Sequence, residues 1–242
     1  MSWHPSRVIS HDDLRNLPLP DLAVKLLANL ADDQANYNSI LAGLKNASGF
    51  GQPGPADIDA LLARLSDAWA WLEAHALLGP SVMNPQAGNW QRPTALGREI
   101  ARDSAAVAKV WAGERLSGDL DPALDSARTN FALGDYETAA FAAMKSVEVE
   151  VRRVAGLTND LLGVNLMRKA FSPKDGVLRD PDAEGGEQQA TADLFAGAIG
   201  TFKNPASHRT VSFDDPSEAA EVIQLADLLL RMVRTAERRI NP

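Results

Sequence analysis

The chain has 242 residues, of which 45% are hydrophobic and 23% are charged, and its formal net charge at pH 7 is −8. This balance is typical of a soluble globular protein and excludes a disordered, collagen-like or coiled-coil chain. Cysteine is absent, which excludes disulfides, thiolate metal ligands and a cysteine nucleophile. No apolar run approaches the roughly 20 residues that cross a bilayer, and the first residues lack the pattern of a secretory signal. We therefore expect a cytoplasmic protein that does not associate with membranes.

Acidic side chains outnumber basic ones in both halves of the chain. A protein that coats DNA or RNA needs a basic surface, because the neutralisation of phosphates supplies most of that affinity. The sequence therefore disfavours coating of nucleic acid. Brief contact with RNA through a local basic cluster remains compatible with it.

Helical patterns dominate the first part of the chain. Asp21 is predicted to cap a helix whose apolar residues extend to Leu30, and a short helix is predicted over 37–45. A third helix is predicted to begin at Asp57, because its apolar residues recur every three or four positions. Gly79, followed by a proline, is predicted to end it.

A strand pattern follows these helices. Residues 81–83 and 90–92 are predicted as short strands around a turn-rich loop at 84–89. Thr94 is predicted to cap a helix that extends to about Ala112. Three helices, a hairpin and a further helix resemble a winged helix-turn-helix module.

The helix in the recognition position of such a module carries few groups that could read DNA. Its exposed face presents Arg64 against Asp67 and Glu73. A recognition helix normally uses Arg, Lys, Asn or Gln toward base edges and phosphates. We therefore expect the module to contact a protein or to dimerise, and DNA is an unlikely partner.

The second half is predicted to be an up-and-down helical bundle with short turns. Aspartates that stand before helical patterns predict the helix starts, and Gly156 predicts the end of the second bundle helix. The fold is therefore predicted to be mainly α-helical with two domains, a winged-helix-like module over 1–112 and a helical bundle over 113–242. The predicted capping aspartates are Asp121, Asp135 and Asp215.

Two polar segments of the bundle each have two interpretations. The acidic loop 175–187 is predicted to be solvated, with a lid or a partner-docking segment as the alternative. The basic end of the last helix either complements the helix dipole or contacts an RNA backbone. That end carries Arg231, Arg234, Arg238 and Arg239.

The strongest chemical pattern lies between the last two predicted helices. Asn204 precedes a proline there, and this pair is predicted to end a helix at about Phe202. Lys203, Asn204 and His208 lie within six residues and Arg209 follows, so a cation, an amide and an imidazole are close together in sequence.

This segment and its surroundings resemble the HEPN superfamily, specifically its uncharacterised Ymh branch. The signature of that superfamily is an arginine, often followed by a polar residue, and then a histidine four to six residues after the arginine. Lys203 stands at the arginine position and His208 at the histidine position. The flanking stretches 136–148 and 194–199 also resemble the family, and the resemblance covers roughly 120–240.

The resemblance implies a metal-independent endoribonuclease that is commonly dimeric and serves as a toxin or antiphage effector. In that chemistry His208 would move the proton of the 2′-hydroxyl, and Lys203 would stabilise the phosphorane. Asn204 would bind the phosphate or hold the imidazole, and Arg209 would assist in binding. No metal or cofactor is expected. The expected partners are RNA, a second copy of the chain and a regulatory or antitoxin protein.

Two interpretations of this region stay open. Glu148 and Arg152 are either supporting residues of the substrate site or an ordinary surface ion pair at helical spacing. Lys203 keeps the charge of the family arginine but loses its bidentate geometry. The alternative to a nuclease is therefore a catalytically weak or inactive regulator that binds nucleic acid, a nucleotide or a protein.

Overall fold

The computed structural model describes residues 9–30, 34–46, 55–83, 90–203, 213 and 215–241. The described chain is mainly helical, which confirms the prediction of a mainly α-helical fold. It divides into two compact units, residues 1–107 and 108–242, and each is described separately.

The first unit combines helices with a small antiparallel sheet. Its strands are β1 (Ala35–Asn36), β2 (Leu78–Pro80) and β3 (Trp90–Pro93), in the order β1-β3-β2. The register pairs Gly79 with Arg92 and Asn36 with Trp90. The helices are α1 (His11–Asn16), α2 (Leu19–Leu30), α3 (Tyr37–Lys45), α4 (Ile58–Ala74) and α5 (Ala95–Arg102), and a 3-10 turn (Ser104–Val107) follows α5.

Several boundaries in this unit differ from the predicted ones. Helix α4 ends at Ala74 rather than at Gly79, because Leu77 and Leu78 turn into the core and Leu78 begins β2. The first hairpin strand is therefore three residues earlier than predicted. Asp21 lies in the first turn of α2 and does not precede it. The predicted loop at 84–89 lies outside the described residues.

Close backbone approach fixes the start of α5 against β2. Thr94 caps this helix as predicted, and its hydroxyl accepts a bond from the Gly97 N–H at 3.1 Å. A Cβ at Gly97 would lie 2.2 Å from the Leu77 carbonyl oxygen, so only glycine fits there. The helix predicted to reach Ala112 is interrupted at Asp103, which ends α5.

The second unit contains α6 (Ala108–Arg115), α7 (Asp125–Ala132), α8 (Tyr136–Ala155), α9 (Gly163–Ala170), α10 (Gly185–Ala198) and α11 (Pro216–Ile240). A 3-10 turn (Pro122–Leu124) precedes α7, and a π-helical turn (Ile199–Lys203) follows α10. Helix α8 packs against α7, α9, α11 and the π-helical turn, and its fully buried Ala140, Ala143, Val147 and Val151 lie in the core.

The predicted caps of this unit are confirmed. Asp121, Asp135 and Asp215 each accept a bond from a backbone N–H of the helical turn they precede. Gly156 ends α8 with φ +63°, a left-handed conformation that glycine adopts without strain.

The loop between α9 and α10 is anchored to the bundle at a few residues, while most of 175–187 is exposed to solvent, as predicted. Leu178 is 1% exposed, and its N–H donates to the Ala170 carbonyl at 2.9 Å. Gln188 Nε2 donates to the carbonyl oxygens of Asp180 and Ala183 at 2.7 and 3.0 Å. A glycine is required at Gly176, because a Cβ there would lie 2.3 Å from a backbone nitrogen.

Candidate functional site

A buried carboxylate lies in the middle of α8. Glu148 is 5% exposed, and its Oε1 accepts a bond from Arg152 Nη2 at 2.8 Å. Its Oε2 lies 3.3 Å from Lys203 Nζ and accepts a bond from the Gly163 N–H at 3.3 Å. We call Glu148, Arg152 and Lys203 the charged cluster. Three elements that are distant in sequence, α8, the start of α9 and the π-helical turn, meet at this one carboxylate.

The charged cluster has an excess of positive charge. One carboxylate faces two cations, so its formal charge is +1. The Arg152 and Lys203 side chains are only 15% and 17% exposed. Since burial reduces screening by water, this positive charge acts more strongly on a bound anion than it would on an open surface. The arrangement can therefore attract a phosphate.

Arg152 connects the cluster to the segment before α9. Its Nη2 also donates to the Leu161 carbonyl oxygen at 3.1 Å. Its Nε is buried and has no hydrogen-bond partner among the described residues. The interpretation of Glu148 and Arg152 as an ordinary surface ion pair is therefore wrong, because the side chains are buried in the bundle.

Lys203 is the last residue of the π-helical turn. The sequence predicted an α-helix to about Phe202, whereas α10 ends at Ala198 and continues as Ile199–Lys203 in the wider π form. Single π-helical turns are frequent at functional sites, because the extra residue changes where the following side chains lie. Here the wider turn ends with the ammonium group beside Glu148.

The structure thus brings together three of the six predicted site residues, namely Glu148, Arg152 and Lys203. Asn204, His208 and Arg209 lie outside the described residues, so their roles stay predictions.

The sequence did not point to the segment 161–163, which supplies a carbonyl and an N–H to the cluster. Helix α9 begins only at Gly163, whose N–H belongs to the first turn and has no intrahelical partner, so it is available to the cluster.

The basic end of α11 is engaged by carboxylates. Arg234 contacts Asp121 at 3.1 Å and also contacts Glu150, while Arg153 bridges Glu150 and Glu237 at 2.9 and 2.8 Å. We call Asp121, Glu150, Arg153, Arg234 and Glu237 the acid-base network. The hydrogen bond from Arg234 lowers the pKa of Asp121, and the bond from Arg153 lowers that of Glu237. Arg234 is therefore held by the protein itself, which disfavours its use for an RNA backbone.

In the described ranges, His, Asp and Glu side chains form no group of three or more that could hold a metal ion. None of the described helices is long and apolar enough to cross a membrane.

Most of the bundle that carries the charged cluster is similar to one protein family. Residues 120–233 match the family described as "Protein of unknown function (Hypoth_ymh)". This match confirms the resemblance of the second half to the Ymh family, and it includes all three residues of the charged cluster. No curated protein and no solved structure matches the sequence significantly.

Proposed function

We propose that the bundle of residues 113–242 is a metal-independent HEPN-type endoribonuclease that cleaves RNA through its own 2′-hydroxyl. The observation that carries the proposal is the contact between Lys203 and the buried Glu148. It fixes a cation directly before the Asn204–His208 segment of the sequence.

The electrostatics of the cluster favour phosphate chemistry. Cleavage through the 2′-hydroxyl develops negative charge on the phosphorane, and a cation that is already in place stabilises that charge without reorganisation. Glu148 restricts the flexible lysine side chain, which offsets part of the geometric precision that a lysine lacks relative to arginine. The net charge of the cluster stays positive, so the fixed cation can still act on a phosphate.

The proton transfers are assigned from the sequence. Histidine is the residue type that most often moves protons near neutral pH, so we assign to His208 the acceptance of the 2′-hydroxyl proton. Asn204 and Arg209 would bind the phosphate. One imidazole cannot easily act on both sides of the scissile bond, so a second copy of the chain supplies the other. We propose a homodimer for this reason.

RNA cleavage in the presence of EDTA tests the proposal. Purified protein is incubated with total RNA, and His208→Ala is compared with the wild type and with His75→Ala. His75 lies in the first unit, next to Trp71, and serves as the matched histidine control. His208→Ala should lower cleavage by about 10²–10⁴-fold, and His75→Ala should leave it unchanged. Equal cleavage by the wild type and His208→Ala would overturn the assignment.

We extend this proposal to a biological role. The protein acts as a toxin or antiphage effector, and a regulatory or antitoxin protein restrains it. Expression of the wild type should then slow growth of a bacterial host while His208→Ala should not. Growth arrest by both forms would separate toxicity from RNA cleavage.

A second function is favoured by two features of the same site. Glu148 offsets part of the Lys203 charge, and the lysine replaces the family arginine. Both features suit a bundle that binds RNA or a nucleotide without cutting it. An inert wild type that still retains labelled RNA on a filter would favour this regulator, and cleavage that His208→Ala abolishes would exclude it.

A further inference from the structure

A small cavity lies in the second unit between the first turns of α10, the last turns of α11 and the loop between α9 and α10. Its volume is about 300 Å³, which is at the lower end of the range for small-molecule sites. Its floor is apolar and consists of Phe171, Leu178, Ala183 and Met232. The cavity shares no residue with the charged cluster or the acid-base network, so it is a separate feature of the bundle.

The fold holds the floor and the walls of this cavity in place. Phe171 is 3% exposed and stacks on Phe195 of the core, with ring centroids 4.0 Å apart. Gln188 of α10 binds two carbonyl oxygens of the loop, which fixes the loop against the helix. A preformed cavity needs little ordering when a ligand enters, and this favours affinity.

The charges at the cavity balance each other. Three guanidinium groups and two carboxylates line it, and a third carboxylate contacts one of these guanidinium groups from beside the cavity. The formal charge of the region is therefore zero, so the region does not favour an anion or a cation in general. The six groups belong to Arg179, Arg231, Arg239, Asp180, Glu187 and, beside the cavity, Asp227.

Four of these six groups are already paired. Arg239 contacts the carboxylate of Asp180, and Arg231 Nη2 lies 3.0 Å from the carboxylate of Asp227. One cation and one carboxylate of the lining are left, and they belong to Arg179 and Glu187.

These two remaining groups keep their capacity for a ligand. Within the described ranges, the Arg179 guanidinium donates only to the Gly176 carbonyl oxygen, from Nη1 at 3.2 Å. A guanidinium carries five N–H donors, so several stay available. The Glu187 carboxylate makes no ion pair or hydrogen bond with any residue that the structure describes. A cation and a carboxylate thus line one cavity without pairing with each other.

We propose that this cavity binds a free α-amino acid with an apolar side chain. An α-amino acid carries a carboxylate and an ammonium group on one carbon atom, so it supplies a partner for each unpaired group. Its carboxylate accepts bonds from the planar guanidinium of Arg179, and its ammonium group donates to Glu187. Its side chain packs on the floor. An aromatic side chain suits this floor, because Phe171 offers a ring and Met232 a thioether.

A ligand with a single charge matches the cavity less well. A carboxylic acid without an amino group leaves Glu187 unpaired beside its own negative charge. An amine without a carboxylate leaves Arg179 unpaired beside its positive charge. Like charges that are held close together repel each other, so both ligands lose a favourable contact and gain an unfavourable one.

Calorimetric titration of the full chain with phenylalanine tests the proposal. Three analogues each lack one part of the ligand: hydrocinnamate lacks the ammonium group, phenethylamine lacks the carboxylate, and glycine lacks the side chain. Phenylalanine should bind at least about tenfold more tightly than each analogue, as expected when one bond to a charged group or one buried ring is lost. This series uses the wild type alone, so it does not depend on the folding of any variant.

Two variants assign the ends of the ligand. Arg179→Gln should weaken phenylalanine binding about tenfold and should not weaken phenethylamine binding, because phenethylamine has no carboxylate. Glu187→Gln should also weaken phenylalanine binding about tenfold, and it should not weaken hydrocinnamate binding, because hydrocinnamate has no ammonium group. A variant with a purely structural effect would weaken all ligands alike.

Glu184→Gln and Arg238→Gln are the matched controls. Glu184 stands directly before α10, its side chain makes no capping bond, and it does not line the cavity. Arg238 lies on α11, but its guanidinium donates to Thr235 Oγ1 and does not line the cavity either. Both variants should bind phenylalanine as the wild type does. Circular dichroism of every variant establishes that the bundle is folded before titration.

Several results would overturn the proposal. The first is no saturable heat with phenylalanine up to the millimolar range. The second is an analogue that binds as tightly as phenylalanine, and the third is phenylalanine binding that Arg179→Gln and Glu187→Gln leave unchanged. Lys203→Ala should bind phenylalanine normally, and a loss of binding there would place the ligand at the charged cluster instead. The titration contains no RNA, so this proposal and the nuclease can fail separately.

Discussion

Helix α8 carries two charged regions built from the same residue types. Glu148 and Arg152 belong to the charged cluster, whereas Glu150 and Arg153 belong to the acid-base network. Two residues along a helix change direction by about 200°, so neighbouring glutamates and arginines point to different sides of the bundle. The identity of the residues therefore does not distinguish the two regions, and their surroundings do.

The two regions differ in charge balance. The charged cluster has one carboxylate and two cations, and its formal charge is +1. The acid-base network has three carboxylates, Asp121, Glu150 and Glu237, against two guanidinium groups, and its formal charge is −1. A buried excess of positive charge suits an anionic ligand. A network in which each arginine already has carboxylate partners suits the joining of helices.

The sharpest test of this comparison removes one glutamate from each region. Glu148→Gln should lower the free energy of unfolding by about 3 kcal/mol, because Arg152 and Lys203 lose the buried carboxylate that they share. Glu150→Gln should cost about 1 kcal/mol, because Arg153 and Arg234 retain Glu237 and Asp121. Urea unfolding followed by circular dichroism measures both. Equal losses of unfolding free energy would mean that the two glutamates contribute alike to stability, despite the different charge balance of the two regions.

The second test changes the cation of the charged cluster. Lys203→Ala should lower RNA cleavage about 10²-fold, the size of effect expected when one stabilising donor of a transition state is removed. Lys203→Arg should raise cleavage, since the planar fork binds phosphate through two bonds. Initial rates on a labelled RNA in EDTA give both values. A decrease with Arg together with no effect of Ala would show that this lysine is not a phosphate ligand.

The third test removes the central arginine of the acid-base network. Arg234→Met should lower the free energy of unfolding by about 1.5 kcal/mol, because Asp121 and Glu150 lose a charged donor that is one-third exposed. RNA cleavage should not change. Arg238→Met, on the exposed side of the same helix, should alter stability by less than about 0.5 kcal/mol. A loss of cleavage without a loss of stability in Arg234→Met would assign this arginine to RNA instead.

The smallest expected effect is on the pH dependence of stability. The pKa of Asp121 is lowered in the folded protein, mainly by the hydrogen bond from Arg234. The stabilisation is therefore present above the ordinary aspartate pKa of about 4 and is lost as the pH falls through the lower folded value. Arg234→Met should reduce this loss, so unfolding curves collected between about pH 5 and pH 2 should fall less steeply for the variant. Parallel curves would exclude the Arg234–Asp121 bond as a cause.

Local sequence patterns determined much of the fold. Several predicted features agree with the structure. They are the helix over 37–45, the end of α8 at Gly156, and the helix caps at Thr94, Asp121, Asp135 and Asp215. Caps and amphipathic periodicity depend on residues within one or two turns, so they can be identified without knowledge of the rest of the chain. The same patterns pointed to Lys203 and to the spacing of Glu148 and Arg152.

Tertiary structure decided what local patterns leave open. The end of α4 depends on the burial of Leu77 and Leu78. The course of the loop between α9 and α10 depends on contacts from Gln188 of α10 and Arg239 of α11. Lys203 is 55 residues from Glu148 in sequence, and their contact exists only because the π-helical turn packs on α8. The sequence alone determined which residues carry charge. Packing decided which charges are buried together, because burial and pairing depend on partners that are distant along the chain.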